Sequence, residues 1–143
     1  MRVEKRTTIS APPEKVFAYL SDFKRHPEWS GHGLKVTMSD GPVGVGTTCS
    51  TESHQLGKQN DTVTVTEFVP GKRIVFETKG KAGAVRHWFD VSDAPEGSAV
   101  AKGMEFVSPS LPARLASPGI RLNLPRALAK DLARIKALVE GTS

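Results

Sequence analysis

Between residues 84 and 107 two ionisable side chains interrupt otherwise apolar patterns. Val85, His87, Phe89 and Val91 alternate on one face of a predicted strand, and Val100, Lys102, Met104 and Phe106 do the same on its hairpin partner. An imidazole on such a face suits proton transfer near neutral pH, and an ammonium beside it suits holding a carboxylate or an enolate. The same positions also fit a core histidine bonded to a backbone carbonyl and a lysine whose stem lies on apolar surface while its head reaches a rim. Both readings stay open at this point.

Glu67 is the third candidate. With Pro70-Gly71 as a two-residue turn, Val69 pairs with Lys72, Glu67 with Ile74, Val65 with Phe76 and Val63 with Thr78, all on one face. A carboxyl among those apolar neighbours would have a raised pKa and suit a general acid. The alternative places Glu67 at a strand end, paired with Lys72 or Arg73. Trp29 and His32 sit where a short helix leads into the next strand, so Trp29 either closes over a ligand or anchors the helix. Cys49 has no basic neighbour in sequence to activate it and reads as a buried, inert thiol.

Other chemistries find no footing. His26, His32, His54 and His87 lack metal-site spacing, so no metal or other cofactor is expected. GPVGVGT lacks the GK[ST] ending of a phosphate loop, and no G-x-S-x-G elbow is present. A lone cysteine cannot form an internal disulfide. The net charge of +5 permits weak attraction to polyanions, yet no basic run with interleaved aromatics marks a nucleic-acid surface. No apolar run approaches the ~18–20 residues of a membrane span, and MRVEKRTTIS does not resemble a signal peptide. A cytoplasmic protein without stable membrane insertion is therefore expected, as monomer or homodimer.

The elements that must position these groups follow from periodicity. Residues 3–9 read as a strand, 12–21 as a short helix opened by proline, and 23–29 as a second helical turn. Six further strands are expected at 34–39, 47–53, 61–69, 73–79, 84–92 and 98–107, separated by glycine and proline turns. Beyond Pro109 the pattern turns helical. Leu124, Leu128, Leu132, Ile135 and Val139 share a helix face, while Pro118-Gly119 and Pro125 should break its early part, leaving a secure helix over 125–140. The order predicts one α+β domain over residues 1–143, a seven-stranded curved antiparallel sheet around a long C-terminal helix with two short helices after the first strand. A helix of about 16 residues, ~24 Å long, cannot fill the hollow of such a sheet, so a cavity is expected.

ISAPPEKVFAYLSDF, PEW, GVGT, VTEFVPGKRIVFE and DLARIKALVE, in that order, resemble the polyketide cyclase/dehydrase and lipid-transport family of the START-like (SRPBCC, Bet v 1-like, helix-grip) superfamily. The resemblance runs from Ile9 to Glu140. It implies a β-α-α-β6-α fold and a cavity for a small hydrophobic or amphipathic ligand such as a lipid or a polyketide-like molecule. Its expected lining is Trp29, Val65, Phe76, Thr78 and His87, continued by Phe89, Lys102, Met104, Phe106 and Leu128. A cyclase or dehydratase acting through His87, Lys102 and Glu67 is the alternative, and a regulatory protein with a vestigial cavity is the second.

Overall fold

The computed structural model describes residues 1–30, 33–54, 58–81 and 83–141. The β-branched, alternating segments form seven strands: β1 (Arg2–Ile9), β2 (Lys35–Thr37), β3 (Thr48–Ser53), β4 (Gln59–Val69), β5 (Arg73–Gly80), β6 (Gly83–Ala94) and β7 (Gly97–Pro109). They make one antiparallel sheet in the order β1-β7-β6-β5-β4-β3-β2. Consecutive hairpins generate β2 to β7, and β1 closes the order by pairing with the last strand, Val3 opposite Met104 and Ile9 opposite Ser98.

Helix α1 (Pro13–Leu20) begins with proline, which needs no N–H in a first turn, and buries Val16, Phe17, Tyr19 and Leu20. A 3-10 helix (Phe23–Glu28) follows, capped by Asp22, whose carboxylate accepts from the Lys24 amide at 3.2 Å. Its buried Phe23 and His26, with Trp29 just beyond, carry aromatic bulk onto the inner face of the sheet.

After β7 come α2 (Leu111–Leu115) and α3 (Ser117–Val139). The sequence points to a secure helix only from residue 125, whereas α3 starts eight residues earlier. Pro118 lies in the first turn, where its missing donor would have had no partner. Pro125 removes one further donor, and the helix continues because Leu128, Leu132, Ile135 and Val139 are all buried beyond it. Gly141 in a left-handed conformation (φ 67°) follows the helix end. The C-terminal half of α3 is fastened to β1 and its flank: the Lys136 ammonium donates to the Thr8 carbonyl at 2.6 Å, and the Ser10 amide donates to Glu140 at 2.8 Å.

Candidate functional site

The inner face of the sheet and the helical segment after β7 enclose a cavity of about 520 Å³. That lies within the ~300–1,000 Å³ usual for small-molecule sites. Phe76, Thr78, His87 and Phe89 line it from β5 and β6, and Lys102, Met104 and Phe106 line it from β7. Trp29 and Leu128, also expected, line it too, and Val63, Val85, Ile120 and Leu124 add further apolar wall. The register explains the grouping: Phe76, His87 and Met104 are successive cross-strand neighbours, as are Phe89 and Lys102.

Lys102 supplies a buried cation. Its side chain is only 7% exposed, and its Nζ lies 5.4 Å from the Trp29 ring centre and 5.7 Å from that of Phe89. The Asp131 carboxylate, on α3, is 3.7 Å away, close enough to balance the charge. Asp131 in turn meets Arg134 at 3.3 Å, and Arg134 donates to the Trp29 carbonyl at 2.9 Å. Burial pushes the Lys102 pKa down, with Asp131 pulling it partly back. The Trp29 indole N–H is buried and has no hydrogen-bond partner among the described residues.

Among the described residues two histidines, His87 and His26, line the cavity, and burial favours the neutral form of both. His87 stacks on Phe76 at 4.9 Å with the rings 9° from parallel, and its Nε2 lies 3.3 Å from the Thr78 hydroxyl. Burial, then the nearby Lys102 charge, lowers its pKa to about 3. It is half-buried by surface area because the surface it keeps faces the cavity. His26 was not singled out by sequence, yet it is buried between Phe23, Trp29, Phe76 and Phe89 and also lines the cavity. Its Nε2–H donates to the Leu20 carbonyl at 2.8 Å, and burial lowers its pKa to about 4. The backbone-bonded core histidine envisaged for position 87 is thus found at position 26.

Two expected site residues lie elsewhere. Glu67 points away from the cavity, half-exposed, with its carboxylate 3.3 Å from Arg73, which also holds Asp90 at 2.7 Å. The hairpin loop contains three residues, Val69 pairing with Arg73, and a bulge at Thr66 puts Glu67 opposite Val75. The bulge reverses the alternation, so Phe68, not Glu67, turns inward to meet Phe17 at 5.5 Å. Val65 does face inward opposite Phe76, but it is packed into the core with Phe17, Phe23 and Ile74 and does not reach the cavity. His32 falls outside the described residues. Cys49 is buried, which pushes its thiol up to about 11. Among the described residues, no group of three or more His, Cys, Asp or Glu is placed to hold a metal ion.

Asp131 is the partner that sequence reasoning missed. The signal was its spacing, three residues after Leu128 and so on the inward side of the helix.

Known structures share the architecture. The Thermus thermophilus protein TTHA0849 superposes with a TM-score of 0.79 at 17% identity, over 100% of this chain and 99% of its own. The Chromobacterium violaceum protein CV1439 gives 0.74 at 21% identity over 97% of each chain. DynU16, encoded in the dynemicin biosynthetic locus, gives 0.68 at 15% identity over 97% of this chain and 47% of its own, so this chain spans about half of it. These likenesses establish the helix-grip fold. No curated protein matches the sequence. Residues 1–140 match the family described as polyketide cyclase/dehydrase and lipid transport, and the chain belongs to that family.

Proposed function

We propose that this chain is one START-like ligand-binding unit that takes a small apolar or amphipathic molecule into the cavity, with an oxygen of the ligand against Lys102. The observation that carries this reading is a largely apolar chamber of about 520 Å³ with a buried ammonium in its wall. The apolar walls would supply affinity. The ammonium offers three donors, and the single Asp131 carboxylate beside it at 3.7 Å leaves room for a second acceptor, so a carboxylate, enolate or carbonyl oxygen has a defined place. Trp29, Phe76, Thr78, His87, Phe89, Met104, Phe106 and Leu128 are the remaining proposed contacts.

A catalytic role draws less support. With its pKa near 3, His87 in the free cavity is a weak base at neutral pH and is not in the imidazolium form that a general acid needs. The open chamber likewise speaks against a vestigial cavity. The test is native mass spectrometry of protein purified from its own host, followed by thermal-shift titration with fatty acids and aromatic β-ketones. Co-purified ligand, and shifts that shrink in Lys102→Met, support the reading. An empty protein with no shift across the panel overturns it. Turnover of a synthetic poly-β-ketone that is lost in His87→Gln would favour the cyclase alternative instead.

A further inference from the structure

One surface is unlike the rest of the molecule. From Phe106 to Lys130 the chain contains four basic residues, Arg114, Arg121, Arg126 and Lys130, and no acidic one. All four are exposed, and none takes part in an ion pair among the described residues. Three leucines of the same segment lie in water: Leu111 is 69% exposed, Leu115 76% and Leu122 68%. Leu111 and Leu115 are one turn apart on α2, and Leu122 and Arg126 are one turn apart on α3. Large exposed side chains of this kind mark interaction sites when they gather on one segment.

That segment is also a wall of the cavity. Pro112 and Ala113 of α2, with Ile120, Leu124 and Leu128 of α3, line the chamber from inside. Pro112 is exposed, and so is Lys81, which lines the cavity from beside the β5–β6 hairpin. The chamber therefore reaches the surface next to these leucines and arginines. We propose that α2 and the first half of α3 dock this rim on an anionic lipid surface, setting the cavity mouth against the source or destination of its ligand. Charge selects the occupant. A second copy would bring arginines against arginines, whereas an anionic bilayer complements them and accepts leucines into its interface. The docking is peripheral, since no described helix is long and apolar enough to cross a membrane.

The experiment is flotation of the full chain with vesicles of phosphatidylcholine, alone or mixed with phosphatidylglycerol, at low and high salt. Two variants are compared: Arg114→Gln/Arg121→Gln/Arg126→Gln and Leu111→Ser/Leu115→Ser/Leu122→Ser. None of these side chains lines the cavity. Cavity binding measured by thermal shift stays as in the parent and reports failure of that reading separately. The parent should float only with the mixed vesicles and release as salt rises. Each arginine removed should weaken binding about fivefold, so the triple arginine variant should lose on the order of 100-fold. The leucine variant should also release. A parent that floats with neither vesicle overturns the proposal, as does binding unchanged by either set. So does a concentration-dependent dimer abolished by the serines, or an oligonucleotide that binds the parent and the leucine variant equally.

Discussion

Acid should destabilise this protein through two histidines that the fold buries without charge. His26 and His87 have an ordinary value of 6.5 and are held at about 4 and about 3 by burial, with the Lys102 charge adding to the effect. Both folded-state values are depressed, so the contribution is complete above 6.5 and is lost as pH falls toward the folded values. Between about pH 7 and about pH 5 the unfolded chain gains most of a proton at each site while the folded chain gains little. Each histidine then costs about 2 kcal/mol, and the pair about 4 kcal/mol, against a total stability of about 5–15 kcal/mol. Urea unfolding monitored by tryptophan fluorescence at the two pH values measures the loss. His87→Gln should remove roughly half of the difference, because His26 keeps its carbonyl partner and its own share. Equal urea midpoints at the two pH values in the parent would refute the reasoning. So would a variant whose pH dependence matches the parent's.

Lys102→Met should leave stability at neutral pH unchanged or raised, since the depressed lysine pKa marks a burial cost and Arg134 still pairs with Asp131. Any gain should shrink as pH climbs toward the ordinary lysine value of 10.5, where the unfolded chain also loses the proton; melting curves across alkaline pH read this. Glu67→Gln should change stability by less than about 0.5 kcal/mol and leave ligand affinity alone, because the residue is exposed and Arg73 keeps Asp90; a drop in affinity would return Glu67 to the site. Gly103→Ala should cost about 1–3 kcal/mol in chemical denaturation, since its methyl would sit 2.0 Å from the Trp88 ring, which is held by a 2.7 Å bond to Glu4. Cys49 should resist a thiol reagent until the protein unfolds, given its burial and a pKa near 11; rapid labelling of the native protein would contradict this.

Strand positions were legible because alternation and turn residues are local. The β4–β5 hairpin shows the limit of that information. Read with a two-residue turn and unbroken alternation, it pairs Val65 with Phe76 and Val63 with Thr78, and both pairs occur. They occur because the longer loop and the bulge at Thr66 offset one another, which restores the register beyond the bulge. Between loop and bulge the offset is uncompensated, and there Glu67 is rotated out and Phe68 in. A bulge has no composition rule strong enough to announce it. The one residue proposed for chemistry from that stretch was therefore the one displaced. On α3 the two prolines carried too much weight, because position within the helix decides what a proline costs.

Parity assigns a side chain to a face; it does not say what lies above it. Val65 and Val63 share the inner face of β4, yet one is sealed under the aromatic cluster of α1 and the 3-10 helix while the other borders open space. That difference is set by Phe17 and Phe23, distant in sequence from both. The same holds for charge. Lys102 reads from its strand as a polar exception, and its character depends on Asp131 from a different element, on Arg134 one turn further along, and on the Trp29 carbonyl that fixes Arg134. Three segments far apart in the chain converge on one ammonium. A substitution at Arg134 should therefore alter the cavity's electrostatics without touching its wall, loosening Asp131 and drawing it toward Lys102. Arg134→Gln should raise the Lys102 pKa and weaken binding of carboxylate ligands more than of neutral ones, which paired titrations with a fatty acid and its methyl ester resolve. Equal losses for acid and ester would show that Arg134 acts only by anchoring Trp29.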